Sequence, residues 1–118
     1  MAKDSGESVQ RLFVYGSLAP GRPNHHVMAD IPGSWQPATL TGHLVDEGWG
    51  AELGCPGILP SPDGEEVAGF VLASDSLGDH WERLDAFEGV EYERVIVTVR
   101  IDSVRDVDAF VYALKRND

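Results

Sequence analysis

The C-terminal third of the chain holds two long runs whose patterning leaves little choice of structure. From Tyr92 to Ile101, Val95, Val97, Val99 and Ile101 recur at every second position, with Arg94, Thr98 and Arg100 on the alternate set. That period marks a strand with one apolar face, because successive side chains of a strand point to opposite sides. Val107 to Leu114 follows the polar turn Asp102 to Asp106 and is apolar on both faces. Two long strands joined by about five polar residues predict an antiparallel hairpin.

The remaining segments predict further strands and one main helix. Leu12-Phe13-Val14-Tyr15 reads as the core of a short buried strand over about Arg11 to Tyr15. Between Trp35 and Asp46, Ala38, Leu40, Gly42 and Leu44 alternate with Thr39, Thr41 and His43, a strand with a bend at Gly42. Cys55 to Pro60 holds a short extended piece between two prolines, and Pro62-Asp63-Gly64 is a turn. Glu66 to Ala73 is an apolar strand expected to be buried on both faces. Ser74 or Asp75 then caps a helix reaching about Phe87, with Leu77, Trp81, Leu84 and Phe87 inward and Asp79, Glu82, Arg83 and Asp85 outward. A shorter helical turn is expected over His25 to Ala29, capped by Asn24. The sum is about five or six strands with one main helix, an α+β fold built on a small curved sheet or barrel. Thirteen glycines and seven prolines favour such a turn-rich architecture over a helix bundle.

A chain of 118 residues makes one domain, expected over residues 11–118, with residues 1–10 a flexible polar tail lacking the apolar core of a signal peptide. Nine basic residues against twenty acidic ones give a formal charge of −11. That balance argues against non-specific binding to nucleic acid or an anionic membrane surface, both of which need a basic patch. The longest apolar run, Val67 to Ala73, is far too short to span a bilayer. The single cysteine, Cys55, excludes an internal disulfide and fits a reducing compartment, so the chain reads as cytoplasmic.

Two features bear on chemistry. The first strand breaks into Gly16-Ser17-Leu18-Ala19-Pro20-Gly21, and a strand ending in a glycine turn leaves successive N–H groups free to form an anion-binding nest. An ordinary strand exit has the same pattern. The second is Glu88, expected at the C-terminal end of the helix between Phe87 and Gly89. The partial negative charge of the terminal carbonyls disfavours a carboxylate there by roughly 0.3–1 kcal/mol and raises its pKa. A general base and a solvated surface acid both remain open on this pattern. Metal chemistry finds no support, because His25, His26, His43 and His80 show no ligand spacing. A hydrolase finds little: Ser17 lacks a Gly-x-Ser-x-Gly elbow, and Cys55 has no helix N-terminus to activate it.

Phe13-Val14-Tyr15-Gly16-Ser17-Leu18, Asn24-His25, Pro56-Gly57, Leu84-Asp85-Ala86-Phe87-Glu88-Gly89 and Tyr92-x-Arg94 occur in that order. From about Leu12 to Tyr112 the chain thereby resembles the γ-glutamylcyclotransferase-like family, nearest its small bacterial and plant-type members and the γ-glutamylamine cyclotransferases. The resemblance implies a mixed curved sheet or β-barrel of about five to seven strands, one main helix, short peripheral helices and a cavity at one end. It implies that Tyr15, Gly16, Ser17 and Leu18 grip a γ-glutamyl group, that Glu88 is the catalytic acid/base, and that Pro56 and Gly57 form a wall. Tyr92 and Arg94 match the following Tyr-x-Arg and share one strand face, from which both reach toward the cavity.

The reaction so implied is intramolecular: a γ-glutamyl compound's α-amine attacks its own γ-carbonyl, closing 5-oxoproline and expelling an amine or amino acid. No cofactor is implied, since positioning supplies the advantage. An unshifted glutamate would take the α-amine's proton about 3.5 pKa units uphill, or ~5 kcal/mol, a gap that burial narrows. Leu18 stands where the glutathione-degrading type often carries asparagine, which speaks against glutathione itself. The expected partner is a small-molecule γ-glutamyl substrate, with neither nucleic acid nor membrane, and the protein a monomer or weak homodimer. The competing implication is a non-catalytic member that uses the same barrel to bind a small acidic ligand or to act as a scaffold.

Overall fold

The computed structural model describes residues 10–15, 28–45, 57–89, 91–102 and 105–114. Their elements are β1 (Gln10–Val14), β2 (Ser34–Val45), β3 (Gly57–Pro60), β4 (Glu65–Ser74), a 3₁₀ turn (Leu77–Asp79), helix α1 (Trp81–Glu88), β5 (Tyr92–Ile101) and β6 (Arg105–Leu114). The predicted C-terminal hairpin is present, with β5 and β6 antiparallel in continuous register from Tyr92↔Leu114 to Ile101↔Arg105. β6 begins at Arg105, two residues before the Val107 expected, and Asp102 takes a left-handed conformation with φ of 57°.

The six strands run in the order β3-β2-β4-β1-β6-β5. A short antiparallel seam, Ala38↔Ile101 and Thr39↔Arg100, joins β2 to β5 and closes β2-β4-β1-β6-β5 into a five-stranded barrel. Outside the ring, β3 pairs with β2 from Gly42↔Pro60 to Val45↔Gly57. The barrel is mixed, because β1 runs parallel to β6 and antiparallel to β4. This is the α+β barrel architecture expected.

Alternation along each strand divides the apolar residues between two cores. Phe13, Leu40, Val67, Val71, Val99, Ile101 and Val111 belong to one, together with Ile58 of β3. Their chain neighbours Leu12, Val14, Leu72 and Tyr112 belong to the other, where with Leu114 they meet Met28, Ile31, Leu77 and Leu84. Central strands therefore bury both faces, which accounts for the unbroken apolar runs of β1, β4 and β6.

The expected single helix from Ser74 or Asp75 is corrected by the structure. Ser74 remains in β4, and its hydroxyl accepts the Ser76 N–H at 3.0 Å instead of capping a helix. The chain makes the Leu77–Asp79 turn, and α1 starts at Trp81 after His80, which provides no side-chain cap. Leu77 and Leu84 keep the inward orientation expected of them, both fully buried. Among the described residues, no helix is long and apolar enough to cross a membrane.

Candidate active site

Glu88 is the last residue of α1, and Gly89, at φ of 85°, turns the chain away immediately after it. The Gly89 N–H donates to the Asp85 carbonyl at 3.1 Å and closes the final helical turn. Leu84, on the preceding turn, anchors that end in the core. Glu88 is drawn in with it and is only 9% exposed, so it is not a solvated surface acid. Burial raises its pKa from 4.5 to about 7. The direction agrees with the expectation from the helix end, but the cause is loss of water around the carboxylate.

Beside it runs a connected set of hydrogen bonds. The Tyr112 hydroxyl of β6 donates to Asp85 Oδ1 at 2.6 Å, the short distance of a charge-assisted bond. Arg94 of β5, which faces Tyr112 across the hairpin, pairs with the same carboxylate at 3.2 Å. The Arg94 guanidinium also lies 4.3 Å from the ring centre of Trp81 at the helix start. On the opposite side of β6, Tyr15 donates its hydroxyl proton to the Tyr112 carbonyl at 2.9 Å and accepts the Ile58 N–H at 3.0 Å. One chain of contacts thus links the helix end, the hairpin, β3 and the exit from β1. Burial, followed by the hydrogen bond to Asp85, raises the Tyr112 pKa far above its ordinary value, so the phenol stays a proton donor. The Glu88 charge adds least to that rise.

Tyr92 and Arg94 share a face as expected, and both line an open cleft of about 510 Å³ with Asp85, Ala86, Gly89, Glu93 and Tyr112, whereas neither Glu88 nor Tyr15 is among the described residues that line it. Tyr92 is buried and Arg94 half-buried. Gly57 is buried at the start of β3, where a Cβ would come within 2.4 Å of Leu114. Its place is a packing contact between β3 and the end of β6. Gly16, Ser17, Leu18 and Pro56, with Asn24, His25 and Cys55, lie outside the described residues.

The sequence places Asp85 outward on the helix and marks Tyr112 with no role. Asp85 is exposed as expected, yet it receives both Tyr112 and Arg94. The available signal is Tyr112 itself, a polar tip between Phe110 and Leu114 on one face of β6. Among the described residues, no group of three or more His, Cys, Asp or Glu is placed to hold a metal ion.

The model of the family described as gamma-glutamyl cyclotransferase, AIG2-like, matches residues 12–118. A Mus musculus AIG2-like protein superposes with a TM-score of 0.71 at 28% identity, covering 93% of this chain and 80% of that one. An Arabidopsis thaliana protein gives a TM-score of 0.65 at 34% identity, covering 91% and 69%. Bacillus subtilis YkqA gives 0.68 at 29% identity over 90% of this chain, which spans only 36% of YkqA. No match was found among curated proteins.

Proposed function

The chain belongs to the gamma-glutamyl cyclotransferase, AIG2-like family, and on that premise we propose that it is a cofactor-independent γ-glutamyl cyclotransferase with Glu88 as its acid/base. The observation that carries the reading is the buried Glu88 carboxyl, held to a pKa of about 7 at the end of a short helix. Its substrate is a small γ-glutamyl amine or γ-glutamyl peptide. The α-nitrogen forms a bond to the γ-carbonyl carbon, the amide C–N bond breaks, and 5-oxoproline leaves with a free amine or amino acid. The α-ammonium loses two protons on becoming the lactam N–H and the departing nitrogen gains two on leaving as an ammonium; Glu88 relays them one at a time, so no water, metal or redox partner enters the balance.

The energetics favour this role for a buried acid. With Glu88 at about 7, proton transfer from an α-amine of pKa near 8 is uphill by about one unit, or ~1.4 kcal/mol. An unshifted carboxylate would face the ~5 kcal/mol given above. The best base sits close to the pKa of the group it deprotonates, and burial moves Glu88 that way. The backbone N–H groups of Gly16, Ser17 and Leu18 hold the developing oxyanion. Tyr15, the residue before them, is held at its hydroxyl by Tyr112 and Ile58.

Incubating the protein with a panel of γ-glutamyl amines and γ-glutamyl dipeptides tests the proposal, with 5-oxoproline read by mass spectrometry. Time-dependent 5-oxoproline release from at least one compound is expected. Binding of these compounds with no release would favour the non-catalytic alternative.

A further inference from the structure

Helix α1 is only eight residues long, and its last turn carries Glu88. A short helix end frays unless other groups tie it down. Asp85 ties that turn down through two of its groups. Its carbonyl accepts the Gly89 N–H, and its carboxylate accepts Tyr112 from β6 and Arg94 from β5. The carbonyl of that same Tyr112 accepts the Tyr15 hydroxyl at the exit of β1. We propose that Asp85 is a positioning residue for Glu88: by holding the last turn of α1 to Tyr112 and Arg94, it fixes the acid relative to β6 and to Tyr15 at the exit of β1.

This rests on the reaction proposed above. Asp85 does not exchange a proton with substrate. Its contribution is geometric, and a misplacement of about 1 Å at a reacting group can cost ~10²-fold in rate. The ion pair with Arg94 is partly exposed and adds little on its own, so the short bond to Tyr112 carries most of the restraint.

The test compares Asp85→Ala, Tyr112→Phe and the double variant, with Arg100→Ala as control because its ion pair to Asp106 is exposed on the far part of the hairpin. Steady-state rates are measured on the best γ-glutamyl substrate and corrected for the folded fraction. Asp85→Ala should lower kcat at least about tenfold while KM changes less than about threefold. Tyr112→Phe should lower kcat in the same sense, and the double variant should lose no more than Asp85→Ala alone, as expected for residues acting as one unit. Arg100→Ala should match the wild type. A folded Asp85→Ala protein with wild-type kcat would overturn the proposal, as would losses that add fully in the double variant. If the wild type turns over no substrate, it is the cyclotransferase reading that fails. Positioning is then decided by ¹³C NMR titration of the Glu88 carboxyl in wild type and Tyr112→Phe, a change that removes no charge. A midpoint shifted toward 4.5 in Tyr112→Phe supports the restraint, and an unchanged one refutes it.

Discussion

Replacing Glu88 with glutamine should make the protein more stable at alkaline pH while stopping its chemistry. The folded state binds the Glu88 proton more tightly than the unfolded state, because burial lifts the pKa from 4.5 to about 7. Well below pH 4.5 the carboxyl is neutral in both states and costs nothing, and at pH 4.5 the cost is still small. As pH rises toward 7 the unfolded chain releases its proton first, so native stability drains away, and above 7 the loss is complete. A rise from 4.5 to about 7 corresponds to about 3 kcal/mol. Glutamine has nearly the same shape and does not ionise. The stability of Glu88→Gln relative to wild type should therefore grow by about 3 kcal/mol between pH 4.5 and pH 8, or roughly 10 °C in Tm for a chain of this size. Thermal melts of both proteins at matched ionic strength measure it, and ionisations common to the two cancel in the difference. A Tm difference that stays flat across the range would refute the claim that Glu88 titrates in a desolvated site.

Three further substitutions test other parts of the site. Tyr15→Phe removes a hydroxyl that both donates to Tyr112 and accepts from Ile58, and should cost about 1–3 kcal/mol in a urea melt, because the Ile58 N–H is left without that acceptor. Gly57→Val drives a side chain into Leu114, where even a Cβ would lie 2.4 Å away, and should cost about 1–3 kcal/mol by the same measurement. Leu84→Ala empties a fully buried position under the last turn of α1 and should cost about 2–5 kcal/mol, with turnover falling further than the folded fraction does.

Local patterning made much of this architecture legible. The alternation of Val95, Val97, Val99 and Ile101 announces β5 and its inward face, and the polar turn after it announces the hairpin. Gly89 marks the helix end because a positive φ there suits a residue without a side chain. Other features depend on contacts distant in the chain. The two-residue seam between β2 and β5, and the parallel pairing of β1 with β6, leave no periodic trace in either partner. The break at His80 leaves no mark in the sequence because Leu77, Trp81 and Leu84 keep helical spacing through it. Position in the helix was enough to suspect Glu88, but its burial depends on how the helix end seats against the barrel. Asp85 reads as an ordinary outward acid until Tyr112 and Arg94 arrive from strands many residues later.

The most direct test of the central claim is the initial rate of 5-oxoproline release by wild type and by Glu88→Gln on the same γ-glutamyl substrate, both proteins verified as folded. The account predicts release by the wild type and a drop of at least ~10² in the variant. A folded Glu88→Gln protein that releases 5-oxoproline at the wild-type rate would contradict it.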